Sequence, residues 1–221
     1  LSISCRDRNR IAICSDLLGA YVHGVMNILC VTGDFLSFGD ARDSKCVYDL
    51  DSVQAIDMIR KMEKGIDAGG NKLDGNPEFC IGCVSNPHAR PMEVHMLKLE
   101  KKLRAGIDFI ITLDIFDFET SRPFLEEMKQ RGINVIAGVK LITSEDLHLM
   151  ERGRLSGNPI PDRMLERLRG IKGLDNMISE SIELTIDMIN KIRESALCKG
   201  INISAGSKME KLPYIIDKAG L

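Results

Sequence analysis

No stretch of this chain is apolar for long enough to cross a membrane as a helix, which takes about 18 consecutive apolar residues or more. The N-terminal Leu1-Ser2-Ile3-Ser4-Cys5-Arg6-Asp7 lacks the pattern of a signal peptide, and position 1 is not methionine. Neither sign of charge dominates. Lys and Arg number 30 against 32 Asp and Glu, a net charge of −2, so nothing points to a general nucleic-acid or membrane partner. HExxH, GxSxG, GxGxxG and the phosphate-binding P-loop are all missing. Zinc-protease, serine-hydrolase, Rossmann and nucleoside-triphosphatase chemistry therefore have no signal. Cys80-Ile81-Gly82-Cys83 is a lone CxxC, without the second pair that would make a zinc site. It lies in an apolar run, where residues three apart face opposite sides of a strand, so burial is the expected role. His23, His88, His95 and His148 share no ligand spacing, and no metal is expected. No repeat of solenoid period and no low-complexity segment is present.

What is there is an ordinary globular balance of 221 residues, 44% hydrophobic and 28% charged, enough for one sizeable core. The seven cysteines, an odd number scattered through apolar segments, suit reduced thiols in a cytoplasmic protein. Short apolar runs predict strands at residues 1–5, 26–31, 79–85, 109–113, 135–139 and 201–204. Helical spacing predicts helices at 11–19, 53–62, 94–103, 118–131 and 178–192. The nearly continuous apolar strands suit a parallel sheet buried on both faces. Gly24, Gly106, Gly132 and Gly200 read as helix C-caps leading into the next strand. Residues 65–76, with four glycines, read as a surface loop. The repeated unit predicts one α/β domain over residues 1–221. An eightfold barrel takes about 250 residues. Six units are therefore either an open sheet or a (β/α)8 TIM barrel whose first two units fall outside this sequence. Opening on a strand favours the barrel.

The strand at 26–31 runs into Thr32-Gly33-Asp34, a tight turn presenting a carboxylate at a strand's C-terminal end, where barrels keep their chemistry. Asn86-Pro87-His88-Ala89-Arg90-Pro91 follows the next strand, either a ligand-contacting loop or a plain polar turn. Lys98, Lys101 and Lys102 share a helix face. They would hold a phosphate as point charges or form a solvated face pairing with Glu93 and Glu100, and the pattern alone favours the latter. Thr112-Leu113-Asp114-Ile115-Phe116-Asp117 reads as a ring-binding wall or as a helix N-cap at Asp117 or Thr120.

In order along the chain, these segments carry a resemblance. Ser4-Cys5-Arg6-Asp7-Arg8-Asn9-Arg10, Thr32-Gly33-Asp34 with Gly39-Asp40, and Tyr48-Asp49-Leu50-Asp51-Ser52 resemble the methylenetetrahydrofolate reductase family. So do Ile81-Gly82-Cys83-Val84-Ser85-Asn86-Pro87, Leu99-Glu100-Lys101-Lys102, residues 105–112 and Gly157-Asn158-Pro159-Ile160-Pro161-Asp162. The likeness is to the branch found alone or fused behind a homocysteine methyltransferase domain, and it covers nearly the whole chain. It implies a TIM barrel that binds FAD, with FMN as the alternative. The implied reaction reduces 5,10-methylenetetrahydrofolate, or a related methylene-tetrahydropterin, to the 5-methyl form in one-carbon metabolism. The chain then begins at the family's third strand, and the family's proton-donating glutamate precedes it.

By the same resemblance, Asp34 contacts flavin and pterin and is the catalytic carboxylate. Thr32, Gly33, Asp34, Tyr48, Asp51, Asn86, His88, Arg90, Lys98, Lys101 and Lys102 hold the cofactor. Asp34, Leu113 and Phe116 face the substrate. Leu113 departs from the family's Gln, and an aliphatic side chain cannot replace an amide's donors and acceptor, which opens the carrier to relatives of folate such as tetrahydromethanopterin. Phe35 stands where the family has Pro after Gly-Asp, and Ala137-Gly138 where it has Pro-Gly. The implied partners are the tetrahydropterin, NAD(P)H or an electron-transfer protein, a methyltransferase and further copies of the chain, with no nucleic acid and no membrane. The rival readings are a pterin-binding methyltransferase barrel without flavin and a non-catalytic subunit.

Overall fold

The computed structural model describes residues 1–36, 39, 43–155 and 157–221. Asp40, part of the Gly39-Asp40 pair, lies outside the described residues. Six strands alternate with helices: β1 Ser2–Ser4, α1 Arg10–Val22, β2 Asn27–Val31, α2 Ser52–Met62, β3 Cys80–Ser85, α3 Met92–Ala105, β4 Phe109–Asp114, α4 Phe118–Gln130, β5 Asn134–Lys140, α5 Ser144–Glu151, α6 Asp162–Arg169, α7 Leu174–Ser195, β6 Gly200–Ser204 and α8 Leu212–Ala219. A 3-10 helix, Gly206–Lys211, precedes α8. The strands lie in sequence order, β1-β2-β3-β4-β5-β6. Pairing is parallel from β1 to β3 and from β5 to β6. A doubly wound sheet reverses its strand order at a switch point. This order does not reverse, and singly wound α/β order is the winding of a TIM-barrel-like fold.

The chain divides into two compact units, Leu1–Ser85 with Ala89–Ile110, and Asn86–His88 with Ile111–Leu221. In the first, Ile13 and Leu17 of α1, Ile56, Ile59 and Met62 of α2, and Leu99 of α3 are buried, as are Ile28, Cys30, Ile81 and Cys83 of the strands. The residues of α1 and α2 recur three and four apart, one stripe on each. In the second, α7 buries Met177, Ile178, Ile182, Met188, Ile189 and Ile192 at the same spacing. Each large aliphatic side chain buried this way contributes roughly 1.5–3 kcal/mol.

Local chemistry sets the boundaries. Asp51 caps α2 in a box with Gln54, and Asp117 caps α4. Thr143 caps α5 in a box with Asp146. Gly106 ends α3 in the left-handed conformation, φ 98°. Gly200, expected as a C-cap, instead begins β6, and the left-handed residue ending α7 is Ala196, φ 51°. The strand at β6 also departs from the expectation of burial on both faces, since none of its five residues is fully buried. Residues 65–76 form a turn closed by an antiparallel bridge between Ile66 and Lys72. Among the described residues, no helix is long and apolar enough to cross a membrane.

Candidate functional site

In the first unit, β2 ends into the Thr32-Gly33-Asp34 turn. Gly33 has φ +95°, and a Cβ there would fall 2.5 Å from Ser4 Oγ and 2.7 Å from Arg6 Cβ. Only glycine fits both the backbone and the space. Thr32 Oγ1 donates to Ser52 Oγ at 3.2 Å, which ties the turn to the start of α2. Asp34 is exposed, and its backbone carbonyl accepts from Arg6 Nη1 at 2.8 Å. Val47 N donates to the Arg6 carbonyl at 2.7 Å. The next residue, Tyr48, is 41% exposed with φ 42°. The carboxylate of Asp51 accepts from Val53 N and Gln54 N, both at 2.8 Å, so its geometry is that of a helix cap. Asp49 is gripped by Arg10 through Nε and Nη2 at 2.9 Å each, and this hydrogen bonding holds its carboxyl down at about 2.

The three lysines of α3 separate. Lys98 and Lys101 are exposed, whereas Lys102 is 8% exposed. Lys102 Nζ donates to the Val84 carbonyl at 2.7 Å, near the C-terminal end of β3. Burial holds its pKa below the ordinary lysine value. One hydrogen bond leaves its ammonium two further donors. Next to it is a pair absent from the sequence expectations: His95 Nε2 and Ser85 Oγ lie 2.8 Å apart. Burial, then the charges of Lys102 and Lys98, push the His95 pKa down, which favours the neutral ring. Arg90 is exposed in this unit. Cys80 is exposed and Cys83 buried, the opposite facing expected of a CxxC within a strand. Among the described residues, no group of His, Cys, Asp and Glu could hold a metal ion.

In the second unit, Asn86 Oδ1 accepts from His88 N at 2.9 Å. His88 Nδ1 lies 3.1 Å from Thr120 Oγ1, which itself donates to the Asp117 carbonyl. The hydroxyl has one proton, so Nδ1 is assigned as the donor to it. Leu113 is half-buried near the end of β4. Gly138 of β5 has no room for a side chain, because a Cβ would lie 2.5 Å from the Thr112 carbonyl oxygen. Phe116, expected on a substrate wall, is 4% exposed and packs in a core cluster with Ile142, Ile160, Leu165, Leu168 and Met177.

At the ends of β4 and β5, sequence reasoning singled out Asp114 but missed its charged companions Lys140 and Asp146. Lys140 Nζ meets Asp146 Oδ1 at 2.7 Å. Asp146 Oδ2 takes the Thr143 amide and hydroxyl at 2.9 and 2.8 Å. Burial pushes the Asp114 carboxyl up, against the pull of Lys140. Asn158 Nδ2 donates to the Asp114 carbonyl at 2.9 Å, which anchors the Gly157–Asp162 segment. One available signal was Lys140 itself, a cation ending an apolar run.

The profile of the methylenetetrahydrofolate reductase family matches residues 1–220. Methylenetetrahydrofolate reductase 1 of Schizosaccharomyces pombe is 24% identical over 232 residues, covering 100% of this chain and 35% of the relative. The probable methylenetetrahydrofolate reductase (NADPH) of Caenorhabditis elegans is 25% identical over 228 residues, covering 100% and 32%. Methylenetetrahydrofolate reductase 2 of Saccharomyces cerevisiae is 25% identical over 227 residues, covering 98% and 35%. The chain thus spans about a third of the length of these curated relatives. With a family match from end to end and a singly wound α/β order, the chain belongs to the methylenetetrahydrofolate reductase family.

Proposed function

We propose that this chain is the reductase part of a flavin-dependent enzyme that converts a 5,10-methylene-tetrahydropterin, folate or a close relative, to its 5-methyl form. The observation that carries the reading is the Asp34 turn: an exposed carboxylate on a glycine-dictated bend at a strand's C-terminal end, in a chain that matches the reductase family throughout.

The residues present fit FAD in their donor chemistry. Lys98 and Lys101 offer two exposed cations within one turn of α3, suited to a diphosphate. Tyr48 offers an exposed ring. Gly33, packed against Ser4 and Arg6, sets the bend that carries the exposed Asp34. Lys102 fits less directly, because it already serves the Val84 carbonyl. When bound, FAD supplies the hydride for the methylene carbon, with NAD(P)H or an electron-transfer protein as the source of electrons. The protein's part is orientation and charge placement. Asp34 accepts paired hydrogen bonds from the amino group and ring nitrogen of a pterin. Leu113 cannot make an amide's contacts, so the carrier is proposed as a tetrahydropterin and not as folate alone.

The full-length protein tests this. The expected outcome is a flavin absorbance spectrum, turnover of a methylene-tetrahydropterin, and an Asp34→Ala variant that keeps its flavin but loses most of its kcat/KM. A colourless wild-type protein without turnover overturns the reading. Unchanged kcat/KM in Asp34→Ala removes that residue from the reaction.

A further inference from the structure

Resting on that reading of Asp34, we propose that Arg6 is a positioning residue that sets the Thr32-Gly33-Asp34 turn and so aims the Asp34 carboxylate. Its guanidinium is divided between two tasks. Nε and Nη2 grip the Asp7 carboxylate at 2.7 and 2.9 Å, while Nη1 donates to the Asp34 backbone carbonyl at 2.8 Å. A planar fork with five donors serves both partners from one orientation, which a single ammonium cannot do. The Asp7 grip fixes the plane of the fork, and the fork then fixes the Asp34 carbonyl.

The rest of Arg6 is equally engaged. Its amide donates to Ser4 Oγ at 3.3 Å, and its carbonyl receives Val47 N, the residue before Tyr48. Its Cβ lies only 2.7 Å from where a Gly33 Cβ would stand, so the stem is the wall on which the turn rests. One residue at the exit of β1 therefore touches the exit of β2 and the segment leading to α2, all within the first unit. Stability does not explain the arrangement. The Arg6–Asp7 pair is 25% and 40% exposed, and pairs so open to solvent contribute about 0–1 kcal/mol.

The test reads the Asp34 carbonyl directly. In full-length protein with carbon-13 at aspartate carbonyls and nitrogen-15 at phenylalanine amides, the Asp34-Phe35 pair gives one carbonyl–amide correlation, identified by its loss in Asp34→Asn. Arg6→Met, which keeps the stem and removes every donor, is expected to move that peak. It is expected to lower kcat by roughly tenfold or more, as misplacement of a reacting group does, with KM for the electron donor and flavin content unchanged. Asp7→Asn leaves the Nη1 donor in place and is expected to move both less. If Arg6→Met does not fold, Arg6→Lys, which can serve one partner but not both, is expected to give an intermediate response in both readouts. A stationary peak in a folded Arg6→Met protein overturns the tether. A displaced peak with unchanged kcat overturns its part in the reaction. A wild-type protein that binds no flavin and reduces no pterin fails the functional reading instead, and the peak still decides the tether.

Discussion

Asp51 carries two claims that a single substitution separates. The family resemblance places it among flavin-holding residues, whereas its carboxylate is turned onto the first turn of α2, with two amides at 2.8 Å. Removing such a cap costs about 1 kcal/mol, and serine restores most of it. Asp51→Ala is therefore expected to lower stability by about 1 kcal/mol in urea unfolding, and Asp51→Ser to recover it with flavin content unchanged. A stable Asp51→Ser protein that sheds its flavin would instead give the carboxylate a cofactor role. Lys102 poses the same choice in another form. Its position three residues before the end of α3 sends Nζ inward to a strand carbonyl. Lys101, one residue earlier and about 100° around the helix, remains in water. Helical periodicity groups these lysines on one side of α3, but only the packing of α3 decides which of them is buried.

At the scale of elements, the ends of β4 and β5 hold a charged group whose pH response has a definite sign. Burial raises the Asp114 carboxyl above the ordinary carboxylate value, more than Lys140 lowers it. The folded chain then keeps a proton that the unfolded chain has released. The contribution of Asp114 to stability therefore falls as pH rises from about 3.9 through the folded value, and is flat above it. Asp114→Asn is expected to unfold at a higher temperature than the parent above that window and at the same temperature below it. Thermal unfolding across a pH series checks this, and a gap that is constant at every pH would refute it. The strands bearing these groups were legible in the sequence to within about two residues, because each is a short apolar run between punctuating residues. The eight-residue helices α5, α6 and α8 were not, since two turns establish little periodicity. The box that starts α5 uses Asp146 where Glu or Gln is usual. Of the site, the Asp34 turn could be read locally, as glycine and carboxylate at a strand's end. Arg6 could not, because its partner carbonyl is 28 positions away. The His95–Ser85 pair needs both the β3–α3 loop geometry and the packing of α3, neither of which residue spacing supplies.

Across the whole chain, the cysteines sort into protected and open thiols. Cys5, Cys30 and Cys83 lie in the first unit and are fully buried. Cys30 and Cys83 are direct partners in the β2–β3 register, so their side chains share one face of the sheet. Burial pushes Cys30 from 9.0 up to about 12, with further contributions from Cys5 and Cys83. The thiolate is the reactive form, so burial leaves Cys30 with far less of it than an open thiol has. Burial also pushes Cys198 of the second unit up to about 11. Cys46 and Cys80 are exposed. Brief iodoacetamide labelling of the native protein at pH 8, read by peptide mass, is thus expected to modify Cys46 and Cys80 first and to spare Cys5, Cys30 and Cys83, with the half-buried Cys14 and Cys198 between them. Labelling in increasing urea then reports opening of the first unit at Cys30, without any reference to activity. Modification of Cys30 at the rate of Cys46 in native buffer would mean that β2 and β3 open readily, and the packing beneath the Asp34 turn would not be the rigid support that the positioning role of Arg6 requires.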